Sequence, residues 1–355
     1  MTLKWTTYPL AAVCLASATL AQAASFQRAD DNAAQSLAVG LGTAKPLLLQ
    51  RLAGNAETTL ATLQAAVCKS ACASAKREMR ADSLHVSGDG WQLDVSTDGT
   101  TAEFSDDHAR ARAHDLGVDA ATTMSAATLE TAGRQFIASR LGGVIVLRPG
   151  ERLVPEATYA RNDGGSDAKG HRAPERTTAH RIVFTREIDG IPVVGNGSKV
   201  VVTFLNDMTV ESFRYDWPAY VIRGAAPSMA TRDVLLQRVQ SVVGERTGQP
   251  SAKAIGVRSG DATVDLGNGA ELNRFECGYY DAGLVDRDAS APIQAGCVYH
   301  AVHSEAGAVV TRAGYAGAVP AAVKPEADAR WPEAVLLLGR SSSQGASDPG
   351  TAASL

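Results

Sequence analysis

The alternation of apolar and polar residues predicts β-strands along much of the chain. In residues 181–188 the even positions Ile182, Phe184 and Ile188 are apolar and the odd positions are mostly polar, which predicts a half-buried strand. Residues 198–205 are β-branched on both faces, as in a more central strand. Shorter runs of similar character predict further strands at 83–86, 91–95, 101–104, 144–147, 153–159, 210–215, 254–257, 262–266, 272–280, 294–303 and 308–313.

Three segments carry apolar residues at helical spacing instead. In residues 125–141 the apolar side chains fall at i, i+3, i+7, i+8 and i+12, which is one helical face, and Ser125 can cap the start. A second helix is predicted at 55–79, with Asn55 as its cap, and a third at 231–243. An order of helix followed by several strands therefore occurs twice, which indicates an internal duplication of an α-then-antiparallel-β unit.

Polar, Gly-rich or Pro-containing stretches separate these elements. Asp106-Asp107-His108 and the Ala/Arg run after it predict a solvated connection. Residues 161–178 predict a mobile loop, and residues 218–229 a linker. Residues 341–355 have the composition of a disordered tail.

The overall composition is that of an ordinary globular protein. The chain has 355 residues, of which 45% are hydrophobic and 20% charged, enough for about two to three domains. The net charge of -4 arises from evenly mixed charges. This balance argues against nucleic acid or an anionic membrane surface as the partner.

The first residues have the pattern of a secretory signal peptide. Lys4 supplies a positive n-region, residues 9–20 form a short apolar region, and Ala21-Gln22-Ala23 has the form of a signal peptidase site. The apolar run is shorter than the ~20 residues that span a bilayer. We therefore expect cleavage after Ala23, a secreted or periplasmic protein, and no membrane insertion after signal removal.

Removal of the signal peptide leaves four cysteines, an even number that favours disulfides in an exported chain. Three connectivities are open, and the local pairs Cys277–Cys297 and Cys68–Cys72 are favoured. The first would close a loop that stabilises the fold by about 3 kcal/mol in the chain-entropy model. The second would be strained if both residues lie on one helix.

Residues 180–217 carry the densest set of specific signals. The strand that contains Phe184 and Arg186 leads into a Gly/Pro corner, followed by the β-branched residues 199–204 and a turn before Val210. The corner consists of Asp189, Gly190, Ile191, Pro192, Val193, Val194 and Gly195. This arrangement resembles the propeptide modules of secreted bacterial metalloproteases, of the PepSY and fungalysin/thermolysin-propeptide (FTP) type. The family's Asp-Gly turn between the last strands is replaced here by Asn206-Asp207-Met208.

The resemblance implies a cystatin-like fold, in which a helix packs on a curved antiparallel sheet. The predicted fold class is therefore α+β, with tandem cystatin-like units after an N-terminal helix and β-meander. The predicted organisation is a signal peptide at 1–23, a flexible segment at 24–54, a helix plus meander at 55–110, a PepSY/FTP-like unit at 125–217, a second helix-plus-sheet unit at 228–315, and a linker with a disordered tail at 320–355.

The sequence motifs of common hydrolases and of metal sites are absent. There is no His-Glu-x-x-His for a zinc protease and no Gly-x-Ser-x-Gly for a serine hydrolase. His300 and His303 have the nearest metal-like spacing, but on a strand such residues point to opposite faces. Gly195-Asn196-Gly197 leads into no helix and has no following Lys-Ser/Thr, which predicts a β-bend. We therefore predict no catalytic residue, no cofactor and no metal.

The remaining polar and aromatic candidates have simpler interpretations. The closest carboxylate pairs, Asp106-Asp107 and Glu187/Asp189, are predicted to lie in a turn or on a solvated edge. The tryptophans beyond the signal peptide are predicted to pack rather than to form a ligand platform; they are Trp91, Trp217 and Trp331.

These observations favour a binding protein over an enzyme. Because the resemblance is to propeptides and no protease motif accompanies it, we expect an exported non-enzymatic protein that inhibits or chaperones a secreted protease or another envelope protein in trans. Exposed sheet edges and the corner at 189–197 would form the contact surface. Two alternatives stay open: a structural or ligand-binding envelope protein unrelated to proteases, and a hydrolase whose site residues are far apart in sequence.

Overall fold

The computed structural model describes residues 26–28, 37–38, 45–67, 75–115, 124–163, 176–247, 264–267, 270–283, 292–305, 311–325, 331 and 335–338. The helices of this part of the chain are α1 Ala56–Val67, α2 Asp107–Asp115, α3 Ala126–Phe136, which a π-helical turn at Ile137–Leu141 continues, and α4 Arg232–Thr247. The strands are β1 Phe26–Arg28, β2 Leu37–Ala38, β3 Leu48–Leu52, β4 Lys76–Met79, β5 Ser83–Gly88, β6 Trp91–Ser96, β7 Thr101–Asp106, β8 Glu151–Asp163, β9 Arg176–Ile188, β10 Ile191–Gly195, β11 Lys199–Leu205, β12 Val210–Asp216, β13 Ala219–Gly224, β14 Val264–Gly267, β15 Ala270–Asp281, β16 Pro292–Glu305, β17 Thr311–Pro320 and β18 Val335–Leu338.

Nine of these strands form one antiparallel sheet, here called the large sheet. Its order is β4-β5-β6-β7-β12-β11-β9-β8-β1. Helices α1 and α3 pack on one face of it, because their apolar sides meet the inward residues of the central strands. Leu63 and Leu141 contribute from the helical side, and Phe184 and Val202 from the sheet, all fully buried.

A second sheet has the antiparallel order β14-β15-β16-β17-β18. Helix α4 packs on it through Leu235 and Val239, which meet Phe275 and Ala295 in a separate buried cluster. The edge of β15 that carries β14 also pairs in parallel with β2 and, at its end, with β10. A short ribbon of β13 and β3 joins this sheet through the first residues of β16.

The Gly/Pro corner transfers the chain from the large sheet to the second sheet. Asp189 and Gly190 have φ values of 50° and 81°, as a two-residue hairpin turn between β9 and β10 requires. Ile191 and Pro192 still pair with β9, whereas residues 193–195 pair in parallel with β15. One short strand therefore belongs to both sheets.

The predicted fold class, tandem cystatin-like α+β units after a separate helix and meander, is wrong. The described chain is mostly strand, and its helices lie on extended sheets rather than on small ones. The meander strand β7 pairs with β12 along Thr101↔Asp216 to Ser105↔Ser212, so the predicted 55–110 and 125–217 regions share one sheet. Alternation identifies a strand and its buried face but not its partner strand, which is why the sequence did not show this pairing. The domain boundaries given above stay predictions.

Several predicted elements are confirmed at their sites. Asn55 caps α1 by accepting a hydrogen bond from the Thr58 amide at 2.9 Å, and Ser125 caps α3 by accepting one from the Thr128 amide at 3.1 Å. The helix predicted at 231–243 corresponds to α4. Strands occur where they were predicted at 83–86, 91–95, 101–104, 153–159, 181–188, 198–205, 210–215, 272–280 and 294–303.

Other predicted elements are wrong. The predicted connection after residue 106 is the helix α2, since Asp106 accepts a hydrogen bond from the Ala109 amide at 2.8 Å and the Ala/Arg run favours a helix. Residues 144–147 form no strand, and residues 76–79 form β4 on the edge of the large sheet rather than the end of a helix. The predicted linker contains β13. The signal peptide, Cys68, Cys72, residues 254–257 and the tail lie outside the described residues.

Candidate functional site

Strand β13 lies on the edge of the β13–β3 ribbon. It pairs with β3 through Ala219↔Leu52, Tyr220↔Arg51 and the following residues, and its other edge pairs with no described strand. An edge strand offers unpaired backbone groups to another extended chain. The sequence Ala-Tyr-Val-Ile-Arg-Gly supplies the aromatic and β-branched residues that favour a strand.

The end of β13 exposes apolar side chains. Tyr220 is 6% exposed, whereas Val221 is 39% and Ile222 68% exposed. Because neighbouring residues of a strand point to opposite faces, exposure of both means that this end of β13 projects beyond the core.

A loop with two more exposed apolar residues lies beside β13. The Trp217 indole donates to the Val146 carbonyl at 3.2 Å, and the Arg148 guanidinium donates to the Tyr220 carbonyl at 2.5 Å. Val146 is 58% and Leu147 46% exposed. We call Val146, Leu147, Val221 and Ile222 the β13 patch. Grouped exposed apolar residues of this kind mark interaction sites more often than single ones do.

A buried polar cluster anchors β13 from below. The Tyr220 hydroxyl donates to Asp281 Oδ2 at 2.5 Å and lies 2.6 Å from Ser198 Oγ. Arg51 donates to Asp216 Oδ1 at 2.5 Å and lies 3.4 Å from Asp281 Oδ1. Together with Arg186, these residues form what we call the inter-sheet polar cluster, because they come from β3, β9, β12, β13, β15 and the bend before β11.

Arg186 is the more deeply buried of the two arginines in the inter-sheet polar cluster. It is 1% exposed, and its guanidinium carbon lies 3.9 Å from the ring centre of Trp217 and 4.8 Å from that of Tyr220. It donates to the Pro218 carbonyl at 2.8 Å and lies 3.7 Å from the Glu151 carboxylate. Stacking of a cation on two rings, combined with a carboxylate nearby, compensates for part of its desolvation.

Burial and charge shift the pKa values in this cluster in opposite directions. Burial lowers the pKa of Arg51, but Asp281 and Asp216 raise it by more, so the net shift is upward. Burial lowers the pKa of Arg186, and Tyr220 and Glu151 offset only part of that effect. Burial, and then the charge of Asp281, raise the pKa of Tyr220 well above its ordinary value. The phenol therefore stays protonated and acts as a donor to Asp281.

The cluster holds the ends of the two sheets and β13 together. Its arginines face the carboxylates of Asp216, Asp281 and Glu151, so that the buried charges compensate one another. Paired buried charges add specificity of packing more than they add stability. The geometry therefore fixes the position of β13 and leaves its outer end free for contacts.

The corner residues of the motif lie mostly inside the protein. Ile191 and Val193 are buried, and Pro192 is half-buried, so only the turn at Asp189 and Gly190 is exposed. Gly195 has a φ of 99°, and a Cβ there would lie 2.4 Å from the Asp281 carbonyl oxygen. Within the expected contact surface at 189–197, the exposed residues are therefore Asp189, Gly190 and Asn196.

The other candidate residues have structural surroundings. Cys277 and Cys297, directly opposed on β15 and β16, form a disulfide. Glu187 forms an ion pair with Arg152. The tryptophans pack against aromatic or cationic groups: Trp91 on Phe104, Trp217 under Arg186, and Trp331 on Tyr280.

His300 and His303 both lie on β16, three positions apart. Among the described residues, no group of three or more His, Cys, Asp or Glu side chains could hold a metal ion.

Sequence reasoning did not identify Arg51, Tyr220, Asp281 or the exposed end of β13. The polar residues come from segments more than 60 positions apart, and no local spacing connects them. The run Tyr-Val-Ile within the predicted linker was a usable strand signal, because β-branched and aromatic residues cluster there.

None of the helices that the structure describes is long and apolar enough to cross a membrane. In comparisons with known proteins, no family model matches the chain and no curated protein matches it.

Proposed function

We propose that the protein is an exported, non-enzymatic binding protein that engages a protein partner through the β13 patch. The single observation that carries this proposal is the exposure of Val221 and Ile222 on an edge strand that buried charges hold in place. The resemblance of residues 180–217 to PepSY/FTP propeptide modules makes a secreted protease, or another envelope protein, the partner of choice. The protein would inhibit or chaperone that partner in trans.

The export part of the proposal is supported by two features. The first 23 residues have the n-region, apolar region and Ala-x-Ala site of a signal peptide. The Cys277–Cys297 disulfide is of a kind that persists in oxidising compartments.

The recognition mode follows from the free edge of β13. An extended segment of the partner adds to β13 by main-chain hydrogen bonds, and its apolar side chains cover Ile222 and Leu147. Arg148 already occupies the Tyr220 carbonyl, so the partner strand pairs with the part of β13 beyond that residue. Burial of an exposed isoleucine contributes about 1.5–3 kcal/mol to such an interface.

The test uses the purified protein, beginning at Ala24, with proteases from the same secretome. Ile222→Asp places a charge in the patch, and we expect it to weaken binding and inhibition at least about tenfold. Val323→Asp is the matched control, because Val323 is 51% exposed at a site outside the patch. Equal binding by both variants contradicts the role of β13, and no binding or inhibition by the unsubstituted protein contradicts the proposal as a whole.

A further inference from the structure

Ser198 is a buried hydroxyl at the start of the hydrogen-bonded chain that anchors β13. It is 0% exposed, and its Oγ lies 2.6 Å from the Tyr220 hydroxyl. Tyr220 in turn donates to Asp281 Oδ2 at 2.5 Å. A serine, a phenol and a carboxylate in sequence form a route along which a proton can leave the serine.

The backbone conformation of Ser198 brings its Cβ towards the preceding peptide bond. Ser198 has a φ of 55°, in the left-handed region that side chains other than glycine rarely adopt. At an ordinary φ of about −60° the Cβ lies anti to the carbonyl carbon of the preceding residue across the N–Cα bond. At positive φ the two are gauche, which is the arrangement that closure of a five-membered ring of Oγ, Cβ, Cα, N and that carbonyl carbon requires.

The preceding residue is held against the carboxylate. The Gly197 amide donates to the Asp281 carbonyl at 3.0 Å. A Cβ on Gly197 would lie 2.1 Å from the carboxylate carbon of Asp281, so only glycine fits there. Asp281 therefore lies beside both the peptide bond of Gly197–Ser198 and the phenol of Tyr220.

We infer that the chain cleaves its own Gly197–Ser198 peptide bond through an N-to-O acyl shift. Ser198 Oγ attacks the Gly197 carbonyl carbon, the C–N bond breaks, and Gly197 becomes an ester on the Ser198 side chain while the Ser198 nitrogen becomes an amine. Water then hydrolyses the ester, which gives a Gly197 carboxylate and restores the Ser198 hydroxyl. The net reaction consumes one water and needs no other reactant.

The proton route is set by the same three residues. The Ser198 proton moves to the Tyr220 oxygen as the Tyr220 proton moves to Asp281, and the relay reverses to protonate the leaving nitrogen. Burial and then the charge of Asp281 raise the pKa of Tyr220, which keeps the phenol protonated and suited to a relay. Formation of the ester frees the backbone from the left-handed conformation, and relief of such strain favours the shift.

Cleavage would leave the fold in place. Strand β11 begins at Lys199, one residue beyond Ser198, where the new fragment starts, and remains paired with β9 from Thr185 to Ala179 and with β12. The Cys277–Cys297 disulfide lies entirely on the C-terminal side. The two fragments should therefore stay together in native buffer and separate in denaturant.

The experiment is intact-mass analysis of the purified full chain in denaturant, with and without hydroxylamine, which captures esters. We expect fragments that end at Gly197 and begin at Ser198, with more of them after hydroxylamine. Ser198→Ala should abolish them and Ser198→Cys should restore them through a thioester. Tyr220→Phe should slow their formation about 100-fold, while Tyr215→Phe, another buried tyrosine outside the relay, should leave it unchanged.

Fragment masses distinguish the proposed cut from cleavage of the neighbouring Asn196-Gly197 bond. Hydroxylamine also cuts Asn-Gly bonds after succinimide formation, and that cut leaves fragments that differ by one glycine and do not depend on Ser198. Such fragments alone, or a full-length mass that hydroxylamine does not change, overturn the inference. Either result leaves the binding proposal untouched, since the β13 patch is tested separately.

Discussion

At the scale of single residues, two buried tyrosines show that burial and hydrogen bonding have separate effects. Tyr220 and Tyr215 are 6% and 2% exposed. Tyr220 contacts Ser198 and Asp281 through its hydroxyl, whereas the Tyr215 hydroxyl is buried without a hydrogen-bond partner among the described residues. An unpaired buried hydroxyl is a net loss of free energy, and a paired one is not.

The two Tyr-to-Phe variants should therefore differ in stability. Tyr220→Phe leaves Asp281 short of a donor, so we expect the free energy of unfolding to fall by about 1–3 kcal/mol. Tyr215→Phe removes an unpaired hydroxyl, so stability should be unchanged or rise by up to about 1 kcal/mol. Urea unfolding of both variants measures the difference, and equal losses would contradict the assigned hydrogen bonds.

At the scale of elements, an ion-paired group connects strands of the two sheets. Glu156 on β8 pairs with Lys199 on β11 and lies 3.4 Å from Arg274 on β15. Burial alone raises the pKa of Glu156, but Lys199 and then Arg274 lower it by more, so the net pKa is below its ordinary value. The two sheets are therefore connected both by β10, which pairs with a strand of each, and by these ion pairs.

The pH dependence of this connection follows from the sign of the shift. A carboxyl with a lowered folded pKa stabilises the fold above its unfolded pKa of roughly 4.3, and this contribution is lost as the pH falls through the folded pKa. Glu156→Gln should therefore lower the free energy of unfolding by on the order of 1 kcal/mol at neutral pH, allowing for solvent screening. The loss should become progressively smaller below about pH 4. Urea titrations at several pH values test this, with Glu78→Gln on the exposed strand β4 as control; a deficit that does not shrink in acid would refute the assignment.

At the scale of the whole molecule, the sequence determines more of the elements than of their assembly. Helix caps such as Asn55 and Ser125 and the alternating strands were predictable, because those signals lie within a few residues. The pairing of β7 with β12 joins Thr101 to Asp216 across more than 100 residues, and no local pattern encodes it. The candidate site was not predictable for the same reason, since Arg51 and Asp281 come together only when the sheets assemble.

The central claim is that the exposed end of β13 contacts a partner protein. The most direct measurement is photo-crosslinking in the native secretion medium, with a photoreactive residue at position 222, or at position 323 as control. We expect one discrete adduct from position 222, whose partner the purified protein then binds, and none from position 323. Absence of an adduct at 222, or the same adducts from both positions, would contradict the claim.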